Sequence, residues 1–109
     1  LVELMLEVWC GAGHDPFVRD LVTGAAGAEA GEQAYWRELE PAWDRLGELT
    51  IPTVLMVGDL DPASMVEATT AAAARIPSAR LIRIPDVDHL PQVRVPDLVV
   101  TTIRQHCVG

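Results

Sequence analysis

"TVLMVGDLDP", residues 53–62, drives five apolar or β-branched side chains into two carboxylates, Asp59 and Asp61, and then a proline. A continuous apolar run of this length suits a central parallel strand, buried on both faces. Such a strand tolerates no charge along its length, so the carboxylates mark its end. Either they are solvated turn residues or one of them is placed there for chemistry.

Working downstream, residues 63–76, "ASMVEATTAAAARI", put Met65, Ala68, Thr69, Ala72 and Ile76 on one face of an amphipathic helix, and Pro77 ends it. Residues 80–84, "RLIRI", form a short strand stopped by Pro85. Residues 85–94 read as a loop. Pro96 and Asp97 open a last helix through about Gln105, with Leu98, Val99, Thr102 and Ile103 inward. Strand–helix–strand–helix is a βαβ unit followed by a helix, with its two strands parallel and its crossover right-handed by rule. The fold class is α/β. Two parallel strands make a marginal sheet, so the sheet is expected to continue in material outside this chain, either the upstream part of the same polypeptide or another chain.

Upstream, "LVELMLEVW" places Leu1, Leu4, Met5 and Val8 on one helical face, and "CGAGHDP" breaks the helix. Asp15 reads as the N-cap and Pro16 as the first residue of a short second helix. "GAAGAEAGE" reads as a small-residue hinge, and residues 32–49 as helical on either side of Pro41. Residues 1–48 are thus expected to be all-helical.

The chain has 109 residues, half of them hydrophobic, which allows one ordinary domain or part of a larger one. The net charge of −8 disfavours nucleic acid and anionic membranes as partners. Residues 1–50 carry ten acids against three arginines, and residues 51–109 six against five, so the first half is expected to be the more solvated. Cys10 and Cys107 are too few for a disulfide framework and lack metal spacing; they read as small buried or half-buried side chains. No apolar run reaches the ~18 residues of a membrane span, and no signal peptide is visible, so a soluble, cytoplasmic protein is expected. The first residue is leucine, which suggests that the natural polypeptide starts further upstream.

In parallel sheets, ligands bind beyond the carboxyl ends of the strands. Asp59 and Asp61 leave the end of the first strand, and Asp86, Asp88 and His89 the end of the second. A carboxylate that accepts the Nδ1 proton of a histidine fixes its tautomer and stabilises the cation formed when Nε2 takes a proton. The plain alternative is that the aspartates serve turns and N-caps and that His89 packs in a loop.

With those residues in place, the chain resembles the C-terminal third of the α/β-hydrolase superfamily. "IPTVLMVGDLDP" is similar to the strand that carries the catalytic acid, in the pattern Gly–acid–x–Asp. "IPSARLIRIPDVDHLPQVRVPDLVVTTI" is similar to the final strand, histidine loop and closing helix. The resemblance implies Asp61 as the acid and His89 as the general base of a nucleophile–His–Asp triad. It divides the chain into a helical cap segment, residues 1–47, and the C-terminal part of the hydrolase core, residues 48–109. It implies hydrolysis of a carboxylic ester or lactone of a small apolar substrate, with a dehalogenase, carbon–carbon bond hydrolase or perhydrolase as scaffold-sharing alternatives, and it calls for no cofactor. The chain contains no G-x-S-x-G and no oxyanion loop, so the nucleophile is expected upstream and the chain alone is expected to be inactive. Where the family often has glycine before the histidine, this chain has Asp88, a second carboxylate that could compete with Asp61 for His89.

The remaining candidates are weaker. His14 and Asp15 with Asp88 and His89 lack a metal signature, and "GAG" at 11–13 follows no strand. Trp9, Tyr35, Trp36 and Trp43 either line an apolar pocket or pack between helices. His106 sits near a helix C-terminus, where the helix dipole suffices to explain it. A reading of a different class is a non-catalytic interaction module that pairs its exposed sheet edge with a partner or with itself.

Overall fold

The computed structural model describes residues 1–108. Its second half follows the expected order. Strand β1 (Thr53–Gly58) leads through helix α3 (Ala63–Arg75) to strand β2 (Ala79–Ile84). β1 and β2 pair in parallel from Thr53 opposite Ala79 to Gly58 opposite Ile84. Among the described residues they form a two-stranded sheet, with α3 packed on both strands. One helical turn, α4 (Pro91–Arg94), interrupts the segment expected to be loop throughout, and α5 (Pro96–Val108) closes the chain.

The first half departs from expectation. Helices α1 (Val2–Trp9) and α2 (Pro16–Glu32) pack together. Asp15 caps α2 as expected, its Oδ1 accepting the Val18 N–H at 2.9 Å. α2 is not short: it runs through Gly24, Gly27 and Gly31, where a hinge was expected. Alanines at 25, 26, 28 and 30 offset the glycines, each of which costs about 1 kcal/mol in a helix, and Val18, Val22 and Ala26 are buried along one face. Arg19 reaches across to Glu3 at 2.6 Å.

Residues 1–48 are not all-helical. After a 3₁₀ turn at Gln33–Tyr35, residues 36–42 are irregular, and a second 3₁₀ segment spans Trp43–Glu48. Pro41 disfavours helix in the residue before it, and the large apolar side chains of the segment, Trp36 and Leu39, stay exposed rather than docking on a neighbour.

The main core lies between α1, α2 and the loop after β2: Met5, Leu6, Cys10, Val18, Val22, Ala26 and Leu90. Met5 is buried as expected, but Leu1, Leu4 and Val8 of its supposed face are exposed, and Leu6 is buried instead. Val57, Ile76, Ile84 and Val87 are buried at the strands and their ends. Met65, Leu98 and Ile103, expected inward, are exposed, while Thr102 is buried. A sheet of two strands is narrower than the apolar stripe of α3 packed on it, and α5 is packed mainly on α4.

Candidate active site

β1 and β2 end level with each other, Gly58 opposite Ile84, so the segments leaving them emerge on one rim. The backbone stitches these segments together. Asp59 N–H donates to the Ile84 carbonyl and Leu60 N–H to the Val87 carbonyl, both at 2.9 Å. Gly58 permits this crossing, because a Cβ there would collide with the backbone of Val87 and Asp88. Asp86 turns the chain out of β2 with a left-handed φ of 58°, a conformation that aspartate tolerates better than most residues.

Asp61 and His89 meet on this rim. His89 Nδ1 lies 3.0 Å from Oδ1 and 3.1 Å from Oδ2 of Asp61, so the Nδ1–H donates to the carboxylate and Nε2 is the nitrogen left for proton exchange. The Asp61 side chain is 6% exposed and that of His89 35%, which shelters the acid and leaves the imidazole accessible. Asp59 goes elsewhere. It is exposed and takes the Arg83 guanidinium at 3.1 Å.

Asp88 does not compete for His89. Its carboxylate is fully buried and accepts from Ala12 N–H at 3.1 Å, Leu90 N–H at 3.0 Å and Arg94 Nη2 at 2.8 Å. These partners turn Asp88 toward the α1–α2 junction at Ala12, while His89 faces Asp61. Burial pushes the Asp88 carboxyl up, but Arg94 and the two amides together hold it below the ordinary carboxylate range. Arg94 also donates to the Gly13 carbonyl.

α1 borders the site as well. His89 N–H donates to the Trp9 carbonyl at 3.0 Å, and the two rings stack with centroids 5.1 Å apart. The other aromatics grouped with Trp9 in the sequence lie apart from the dyad: Tyr35 and Trp36 are exposed, and Trp43 carries Arg75 over its ring at 4.6 Å. The sequence offered Trp9 as a pocket-lining or packing aromatic but not as a neighbour of His89, 80 residues away, and it did not single out Arg94, whose partners Asp88 and Gly13 meet only through the path of the loop. Glycine at the end of an apolar run was a usable signal for the close approach at Gly58.

A cavity of about 130 Å³ adjoins the dyad, lined by Met56, Asp61, Met65, Thr69, His89 and Pro91 among others. A larger one, about 390 Å³, lies at the opposite ends of the strands beside Thr53, Ser78, Arg80 and His106. The rule for parallel sheets favours the smaller as the site. Ser78 is occupied in bonding the Ile51 carbonyl at 2.6 Å. No group of three or more potential metal-ligating side chains occurs among the described residues, so His14 and Asp15 do not assemble with Asp88 and His89. No helix among them is long and apolar enough to cross a membrane.

No family model matches the chain, and no curated protein does. The solved structure of MenH from S. aureus, an α/β-hydrolase-fold enzyme, superposes with a TM-score of 0.57 at 26% sequence identity. The match covers 62% of this chain and 25% of MenH, so the chain spans about a quarter of that enzyme's length. Together with the parallel βαβ core, this likeness gives the chain an α/β-hydrolase-like fold.

Proposed function

We propose that the chain is the C-terminal portion of an α/β-hydrolase-type enzyme in which Asp61 orients His89 and His89 acts as general base. The observation that carries this reading is the contact between Nδ1 of His89 and the sheltered Asp61 carboxylate on the carboxyl-end rim of the sheet. In this arrangement Nε2 accepts the proton of a nucleophile as it attacks, Asp61 stabilises the imidazolium, and the proton then passes to the leaving group. The nucleophile and the oxyanion donors come from upstream sequence, and without them the dyad contributes little rate. Residues 1–47 act as the cap. The substrate class is a carboxylic ester or lactone with a small apolar group, in keeping with the methionine-bordered cavity beside the dyad and the apolar groove of Leu4, Val8 and Trp9, whose indole stacks on His89.

The test is expression of the full reading frame that contains this chain, assayed on p-nitrophenyl acetate, p-nitrophenyl butyrate and a γ-lactone. His89→Gln and Asp61→Ala should each lower kcat by roughly 10³-fold or more. Unchanged turnover in both variants would remove the reading, as would a reading frame with no nucleophile elbow upstream.

A second reading is favoured by the two-stranded sheet, whose outer edges are unpaired among the described residues. Here the chain is a non-catalytic interaction module that pairs its exposed sheet edge with a partner or with a second copy. The upstream reading frame distinguishes the two: a nucleophile elbow there favours the enzyme, and a start codon immediately before Leu1 favours the module, whereas a monodisperse, cooperatively unfolding monomer in sedimentation would contradict the missing strands that both readings need.

A further inference from the structure

We infer that Trp9 is a positioning residue for His89: its indole fixes the plane of the imidazole so that Nδ1 stays on Asp61. This rests on the reading of His89 as the general base.

Two independent contacts join the residues. The rings stack with centroids 5.1 Å apart and planes 27° apart, and the His89 amide donates to the Trp9 carbonyl at 3.0 Å. The last residue of α1 therefore holds both the main chain and the side chain of His89. Trp9 is itself held, because it packs against the cluster of Met5, Leu6, Cys10 and Leu90.

The flanking contacts act in the same direction. Asp88 binds Ala12 N–H on one side of the histidine and Leu90 N–H on the other, and Arg94 ties Asp88 to the Gly13 carbonyl. Residues 88 to 90 are thus clamped to residues 9 to 13, and the imidazole keeps only its own rotations. A bond from Nδ1 to two carboxylate oxygens constrains the direction of one nitrogen and leaves the ring free to tilt about it. A stacked indole removes that tilt, which matters because proton transfer at Nε2 depends on where that nitrogen points. The imidazole is still 35% exposed, so the stack orients it without sealing it off.

The experiment reads the imidazole itself in the protein expressed from the full reading frame that contains this chain. Histidine is labelled with ¹⁵N, and the His89 signals are identified by their loss in His89→Asn, with His14 and His106 as internal references. In the wild type, the ring protons of His89 should be shifted upfield by the indole, and the neutral ring should show the Nδ1–H signature. Trp9→Phe should keep that signature. Trp9→Leu should lose both the upfield shift and the signature, giving the mixed tautomers of a free imidazole. Unshifted ring protons in the wild type, or an unaltered Nδ1–H signature in Trp9→Leu, would overturn the inference. If Trp9→Leu does not fold, the wild-type ring shift and the Trp9→Phe signature decide. Asp61→Ala separates the two levels. If the signature survives in Asp61→Ala, the dyad reading fails. If it is lost there but kept in Trp9→Leu, the role of Trp9 alone fails.

Discussion

Gly58, the last residue of β1, lies directly beneath the backbone of Val87. A Cβ added to it would stand 2.6 Å from the Asp88 carbonyl oxygen and closer still to that of Val87. The neighbours are main-chain atoms of a segment already bonded to Asp59 and Leu60, so they cannot swing aside as a side-chain tip would. Gly58→Ala should destabilise the chain by about 3 kcal/mol or more, at the upper end of overpacking costs. Urea unfolding measures the loss. Because Asp61 leaves β1 and His89 leaves the displaced loop, the same variant should also weaken the Nδ1–carboxylate contact.

Asp86 starts the histidine loop with φ 58° and an exposed side chain. The strain there is that of an L-residue in the left-handed region, about 1–2 kcal/mol for most side chains. Asp86→Val should therefore lose about 1–2 kcal/mol, while Asp86→Gly and Asp86→Asn should stay within about 0.5 kcal/mol of wild type. Thermal midpoints of the three variants check the ordering.

Asp88 and Arg94 form the buried ion pair beside the dyad, 2.8 Å apart with the carboxylate fully buried. Removing one partner strands the other, so Asp88→Ala should cost about 3–5 kcal/mol at pH 7. Its folded pKa is depressed by Arg94 and the amides of Leu90 and Ala12, which outweigh the upward push of burial. A depressed carboxyl contributes its stability above the unfolded value, and the contribution is lost as pH falls through the folded value. The stability gap between wild type and Asp88→Asn should accordingly be full above about pH 5 and shrink below about pH 4. A gap independent of pH from 7 to 3 would contradict this.

Much of the second half was legible because prolines punctuate it. Pro52, Pro77, Pro85 and Pro96 bracket the two strands and the last helix, and between them the apolar pattern set the type of each element, though not every inward face: Met65, Leu98 and Ile103 are exposed. The spacing also put Asp59, Asp61, Asp86, Asp88 and His89 on one rim; the choice of Asp61 and His89 among them came from the family resemblance, and these two side chains meet. The first half was less legible. Gly24, Gly27 and Gly31 looked like a hinge because each weakens a helix on its own, whereas the burial of Val22 and Ala26 against α1 is a tertiary gain with no local trace. Asp88 looked like a rival for His89 because adjacency in sequence says nothing about direction. Its partners, Ala12 and Arg94, become visible only once the loop has a path. The contact of Trp9 with His89 spans 80 residues and left no periodic signal at all.

The two thiols report on that long-range junction. Cys107 is exposed near the end of α5, whereas Cys10 is buried in the α1–α2 core. Burial pushes the Cys10 thiol up and the nearby Asp88 carboxylate pushes it further, with Arg94 opposing, so little reactive thiolate is present even when reagent arrives. Under native conditions at pH 8, one thiol per chain should react quickly with a disulfide reagent, and Cys107→Ser should abolish that fast phase. Cys10 should react only through opening of the junction between α1 and the histidine loop. In a Cys107→Ser background, Asp88→Asn should therefore speed the labelling of Cys10, while Asp86→Gly should leave it unchanged. Equal rates in Asp88→Asn and its parent would show that the ion pair does not hold the junction closed.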